Sequence, residues 1–137
     1  RNTNLVLESS RHYLPAGGKG FEIYPTTTSP EHQLLTDIGV ITSACGILWY
    51  EGGLFSAEYN NTVFTAEPVH NLIHVDKIKA DGVTFSSHNL LEGKEFLSSS
   101  DSWFRPVNHY LGPDGAIYIL DYHRKVIEHP DMSRRHD

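Results

Sequence analysis

The stretch from Asp101 to Pro130 constrains the fold more than any other part of the chain. In it, an apolar run from Arg105 to Leu111 is followed by Gly112-Pro113-Asp114-Gly115, and then by Ala116 to Asp121. Proline presets φ, aspartate accepts from nearby amides and glycine tolerates positive φ, so this tetrapeptide turns the chain by an identifiable mechanism. Two β-prone runs on either side of it predict a hairpin. Lys125 to His129 then has the character of a further strand, closed by Pro130.

The same texture occurs upstream. Val40 to Tyr50 reads as a strand that Glu51-Gly52-Gly53 closes. Asn60-Asn61 turns into Thr62 to Ala66, a β-branched and aromatic run. Leu72 to Ile78 alternates with period two, and Asp81-Gly82 is a hairpin signal leading into Val83 to Ser87. Phe21 to Tyr24 predicts a short strand that stops at Pro25, and Leu91 to Ser102 reads as a loop. Helical periodicity is tolerable only over Asn2 to Leu14, which has no useful cap. The chain is therefore expected to be all-β. Residues 1–39 form an irregular segment, 40–90 a four-stranded unit, and 91–137 a linker plus hairpin.

Composition excludes several classes. With 11 Lys and Arg against 17 Asp and Glu, the formal charge is −6, and no basic stripe exists to meet nucleic acid. The single cysteine, Cys45, has no intramolecular disulfide partner, and its small neighbours suit a packed thiol. No apolar run reaches the length of a membrane span. Asn60-Asn61-Thr62 has the form of a glycosylation acceptor.

Several longer motifs stand in order: Thr42 to Gly46, Tyr50 to Gly53, Glu67 to His74, Glu95 to Leu97, Trp103 to Val107, Gly112 to Tyr118 and Val126 to Pro130. Together they resemble the propeller of the membrane-bound dehydrogenase-like proteins abundant in planctomycetes and verrucomicrobia. That family looks related to the soluble glucose/sorbosone dehydrogenases, six-bladed propellers that oxidise sugars with pyrroloquinoline quinone (PQQ). The resemblance implies a β-propeller segment of about two blades of a six-bladed ring, in a periplasmic or secreted protein acting on a sugar or other polyol. The partners it implies are the remaining blades, further copies or another subunit, with a cytochrome c as electron acceptor. No Cys-x-x-Cys-His occurs, so no covalent haem attaches within this chain. A non-enzymatic propeller that binds carbohydrate or protein is the alternative. A calcium-dependent lactonase-like hydrolase ranks third, with Glu67, Asn71 and Asn108 its only donors here.

Carried over residue by residue, the resemblance puts Arg105 where the sugar dehydrogenases hold the quinone carboxylates. Trp103 stands where they have a second arginine, and Val69 is the counterpart of their lysine. Two roles are open to Arg105: an anion clamp using its fork of donors, or a structural arginine at the mouth of a strand. His70 is the candidate general base, with hydrogen bonding inside the fold as its other reading. Thr42, Ser43, Glu67, Asn71, Asn108 and Asp121 are candidate channel or substrate residues. His70 and His74, taken as one strand, would stand about 13 Å apart, too far for one metal, and Glu67 and Asn71 face the same objection. No metal site is therefore expected. Trp49, Tyr50, Phe64 and Tyr118 are expected in the core.

Overall fold

A computed structural model describes residues 23–27, 41 and 43–125. Its strands are β1 (Cys45–Trp49), β2 (Thr62–Glu67), β3 (Leu72–Asp81), β4 (Thr84–Asn89), β5 (Leu97–Ser98), β6 (Pro106–Leu111) and β7 (Ile117–Asp121). The only helical element among the described residues is a short 3-10 turn, Ala57–Tyr59. Lys77 caps that turn, its Nζ donating to the carbonyls of Glu58, at 2.8 Å, and Asn60. The described chain is all-β and antiparallel, and none of its helices could cross a membrane.

The strands form two sheets. In the larger one the order is β1-β2-β3-β4, and β5 adds to the edge of β3. Phe64 faces Val75 across β2 and β3, which fixes the register of the central pair. On its other edge β3 is shared. Its first residues, Leu72 and Ile73, pair with β5, whereas Asp76 to Asp81 pair with β4. β5 lies inside the stretch the sequence suggested was all loop. Two consecutive residues carry too little period-two signal to be read as a strand.

β3 and β4 meet at a two-residue turn, Gly82-Val83, because Asp81 pairs with Thr84. Gly82 has φ +61, as the first central position of a type II′ turn demands. Gly82→Ala should lower stability by about 1 kcal/mol, seen in denaturant titration, since nothing but the backbone opposes the added methyl. β6 and β7 form the second sheet, a hairpin closed by Gly112 to Gly115 as its sequence predicts.

The core lies between the sheets. Phe64, Ile73, Val75 and Tyr50 are buried, and Leu48, Phe55, Tyr59, Phe96, Ile117 and Ile119 pack around them. Phe64 meets Phe96 edge-on at 4.8 Å, and Tyr50 stacks on Phe55 at 4.8 Å. The Tyr50 hydroxyl donates to the Gly115 carbonyl at 3.0 Å and accepts the amides of Leu54 and Phe55. One side chain thus ties the exit of the first strand to the turn of the second sheet.

Two of the expected core aromatics are elsewhere. Trp49 is 43% exposed and Tyr118 is 56% exposed. Each alternates with a core-facing neighbour, Leu48 and Ile117 or Ile119, and so points the other way. The strand expected at Phe21 to Tyr24 also differs: Ile23 to Pro25 are not in a strand, and Phe21 and Glu22 fall outside the described residues. Tyr24 instead donates its amide to Glu95 at 2.9 Å. The helical periodicity at Asn2 to Leu14 and most of the strand expected at Lys125 to His129 also fall outside the described residues.

Candidate functional site

The polar residues at 67–74 are not on one strand. β2 ends at Glu67, the chain reverses through Pro68 to Asn71, and β3 begins at Leu72. Asn71 takes φ +57, a left-handed conformation that asparagine tolerates better than most residues. Residues 67–74 are therefore not the continuous strand on which the expected separations depend. The reversal brings His70 back to Glu67, with Nδ1 3.3 Å from Oε1.

Glu67 accepts the Ser43 amide on both carboxylate oxygens, at 3.1 and 2.9 Å. This contact joins the run into β1 to the end of β2. The Asn71 side-chain amide donates to the carbonyls of Ser102, at 3.3 Å, and Phe104, and the Asn71 carbonyl accepts the Ser99 amide. Glu67, His70 and Asn71 are essentially without solvent contact. His70 Nε2 is buried with no hydrogen-bond partner.

Arg105 is also buried, at 1% exposure. Its guanidinium donates to Pro68 O at 2.8 Å, Val69 O at 3.2 Å, Arg124 O at 3.0 Å and Lys125 O at 2.7 Å. The first two belong to the β2–β3 turn, the last two to the chain leaving β7. Its own amide is taken by Asp121 at 2.8 Å, and Asp121 also accepts the His123 amide at 2.8 Å. Burial opposes charge on Asp121, but these amides and the nearby imidazole hold its carboxyl below the usual range. Trp103, next to this cluster, is 45% exposed and lies 5.7 Å from the His123 ring.

The family described as Domain of unknown function (DUF7133) matches residues 1–136. The chain belongs to this family. No curated protein and no solved structure matches it.

In this DUF7133 chain, the residues the sequence singled out divide into separate environments. Glu67, His70, Asn71 and Arg105 meet in one buried knot around the β2–β3 turn. Asn108 lies apart, donating to the Tyr110 hydroxyl at 3.0 Å and accepting the His109 amide at 2.9 Å. Asp121, at the exit of β7, borders the knot through the Arg105 amide, and Thr42 lies outside the described residues. Among the described residues no cluster of three or more His, Cys, Asp or Glu gathers as for a metal. Cys45 is partly buried, which raises its thiol pKa, as does the nearby Glu67 carboxylate.

Two further buried histidines have structural roles: His74, weighed in the sequence only as a partner for His70, and His109, which sequence reasoning missed. His74 sits between Glu95, 2.8 Å from Nδ1, and Asp76, 3.2 Å from Nε2. Burial works against its charge, but hydrogen bonds and attraction from Asp76 and Glu95 outweigh it and push the pKa up to about 10. His74 is thus the cation at the centre of an Asp76–His74–Glu95 triad. The alternation of β3 places Asp76 on the same face as His74, a signal present in the sequence. Glu95 is 21 residues away and gave none. Stability from this triad is fully present below the ordinary histidine pKa and is lost as pH rises towards 10. The unfolding free energy from urea titration should fall over pH 6.5 to 10 with a slope of no more than one proton's worth, about 1.4 kcal/mol per pH unit. His74→Gln should flatten that slope.

The other is His109. Its Nε2–H donates to the Phe64 carbonyl at 3.0 Å, which joins β6 to β2, and Nδ1 is buried with no partner. Burial lowers its pKa, so it is held neutral.

Proposed function

We propose that this chain contributes two blades to a β-propeller of the quinone-dependent sugar dehydrogenase type, and that within it the chain is scaffold and wall. The remaining blades come from the rest of a polypeptide, from further copies or from another subunit. Among the described residues, two antiparallel sheets packed on a shared aromatic core are the feature that supports a repeated-sheet architecture. A sugar or other polyol is the substrate class on this reading, in a periplasmic or secreted setting, with a cytochrome c taking the electrons.

One observation supports this division of roles. The residues present do not fit the carboxylates of PQQ. Arg105, the one arginine at the expected position, spends its donors on four backbone carbonyls. Trp103 and Val69 occupy the positions of the other expected cations. His70, the candidate base, is fully buried beside Glu67 and open to no substrate. The quinone and the proton-accepting base therefore belong to other blades.

The same arginine favours a second reading, a propeller that binds carbohydrate or protein without any quinone. Reconstituting the full-length protein with PQQ and calcium separates the two. Quinone absorbance that saturates, together with sugar-dependent dye reduction, supports the dehydrogenase. Absence of quinone binding removes that reading and leaves the binding propeller.

A further inference from the structure

Residues 23–27 lie against residues 95–99 without forming a strand there. The Tyr24 amide donates to Glu95 Oε1 at 2.9 Å, and the Thr26 amide to Ser98 Oγ at 2.9 Å. The hydroxyls of Thr26 and Ser98 meet at 2.8 Å, and the Thr27 hydroxyl donates to the Ser99 carbonyl at 2.6 Å. Each of these contacts depends on a side chain. Pro25, midway along, has no N–H to give, so a ladder of main-chain bonds is interrupted at that point. Ile23 is the buried apolar side chain of the segment, while Thr26 is exposed. A segment fastened at separate points over so little apolar surface belongs to the part of a fold that opens first.

One of these fastenings differs from the rest. The Glu95 side chain is 1% exposed, and its Oε2 is 2.8 Å from His74 Nδ1 while Oε1 takes the Tyr24 amide. A carboxylate kept from water needs a cation and donors beside it. Opposite His74 on β2 stands Thr65, which carries no charge, and Asp76 on the other side of the imidazole is a second carboxylate. His74 is therefore the charge that lets Glu95 remain buried, and Glu95 in turn holds Tyr24.

We infer that residues 23–27 form a strap that opens as a unit while both sheets stay folded, with Glu95 as its latch and His74 positioning that latch. Closed, the strap keeps the Glu95 carboxylate out of water beside His74. Open, it returns that carboxylate to water and frees Tyr24. The inference draws on neither the propeller nor its quinone, so it stands or falls apart from the proposed function.

Amide exchange in the 137-residue chain, read residue by residue by NMR, tests it. In the wild type the Tyr24 amide should exchange well ahead of the β2–β3 ladder. Its rate should stay nearly flat in low urea, since opening the strap exposes little surface, whereas the ladder's rate should climb. Glu95→Ala should speed Tyr24 exchange about tenfold or more, the loss of one charge-assisted hydrogen bond. His74→Leu should speed it as well. The double variant should be no faster at Tyr24 than Glu95→Ala alone, because His74 acts through Glu95. Ser98→Ala, which removes the fastening at Thr26, should also accelerate Tyr24, as opening in one unit requires. His74→Gln takes the place of His74→Leu should that variant not fold. A wild-type Tyr24 amide as slow and as urea-sensitive as the ladder overturns the inference. So does Tyr24 exchange that Ser98→Ala leaves unmoved, or a His74 effect that is absent or adds in full to that of Glu95→Ala.

Discussion

Replacing Arg105 with methionine should lower the stability of the folded chain by about 4 kcal/mol, measured by urea unfolding. The reasoning begins with what the side chain holds. Pro68 O, Val69 O, Arg124 O and Lys125 O all receive its N–H groups, and the guanidinium has almost no contact with water. Each carbonyl that loses its donor in a buried setting costs on the order of 1–3 kcal/mol, and water entering the space left behind recovers part of it. Lysine keeps the charge but not the fork, so Arg105→Lys should recover only a fraction of the loss. Small anions such as citrate should leave the wild-type melting temperature unchanged at matched ionic strength. An arginine whose chief task was gripping a carboxylate would give the opposite pattern: little stability lost on substitution, and a clear anion-dependent shift.

A second large effect is expected at Gly46, where alanine should cost about 3 kcal/mol. Gly46 has φ +55, and a Cβ there would lie 2.6 Å from the Asn108 Cα and 2.8 Å from the Val107 carbonyl. Left-handed backbone costs a side-chain-bearing residue about 1–2 kcal/mol, and the clash is with main chain, which cannot rotate away. β1 and β6 must separate to admit the methyl. The thermal midpoint measures the loss, and the pH dependence assigned to His74 should survive, because that triad lies across β3 and not at this contact.

Which parts of this were legible in the sequence follows from the range of the forces involved. The β2, β3 and β4 strands and the β6–β7 hairpin are encoded locally, by period-two alternation and by turns whose residues demand particular dihedrals. β1 is shorter than Val40 to Tyr50 suggests, and the larger sheet gains β5 from a stretch with no local signal. The candidate site was harder. Glu67, His70, Asn71 and Arg105 are conspicuous as residue types, but the partners that define their roles are mostly backbone atoms from distant turns. A carbonyl has no letter in a sequence, so a buried arginine with four carbonyl partners reads the same as one waiting for a ligand. Glu95 shows the same limit: its partner His74 comes from another part of the sheet, and spacing alone could not pair them.

The division of β3 between two neighbours has a consequence for motion. Leu72 to Val75 are buried, while Lys79 to Asp81 and nearly all of β4 are exposed. The hydrogen bonds of the outer arm are therefore covered by little besides solvent, and opening them releases few packed contacts. The arm around Gly82 and Val83 should exchange its amide hydrogens through local fraying, far faster than the Phe64–Val75 pair, which exchanges only when the whole domain opens. One strand then belongs to two cooperative units, so changes in the length of the arm should leave the unfolding of the core almost untouched.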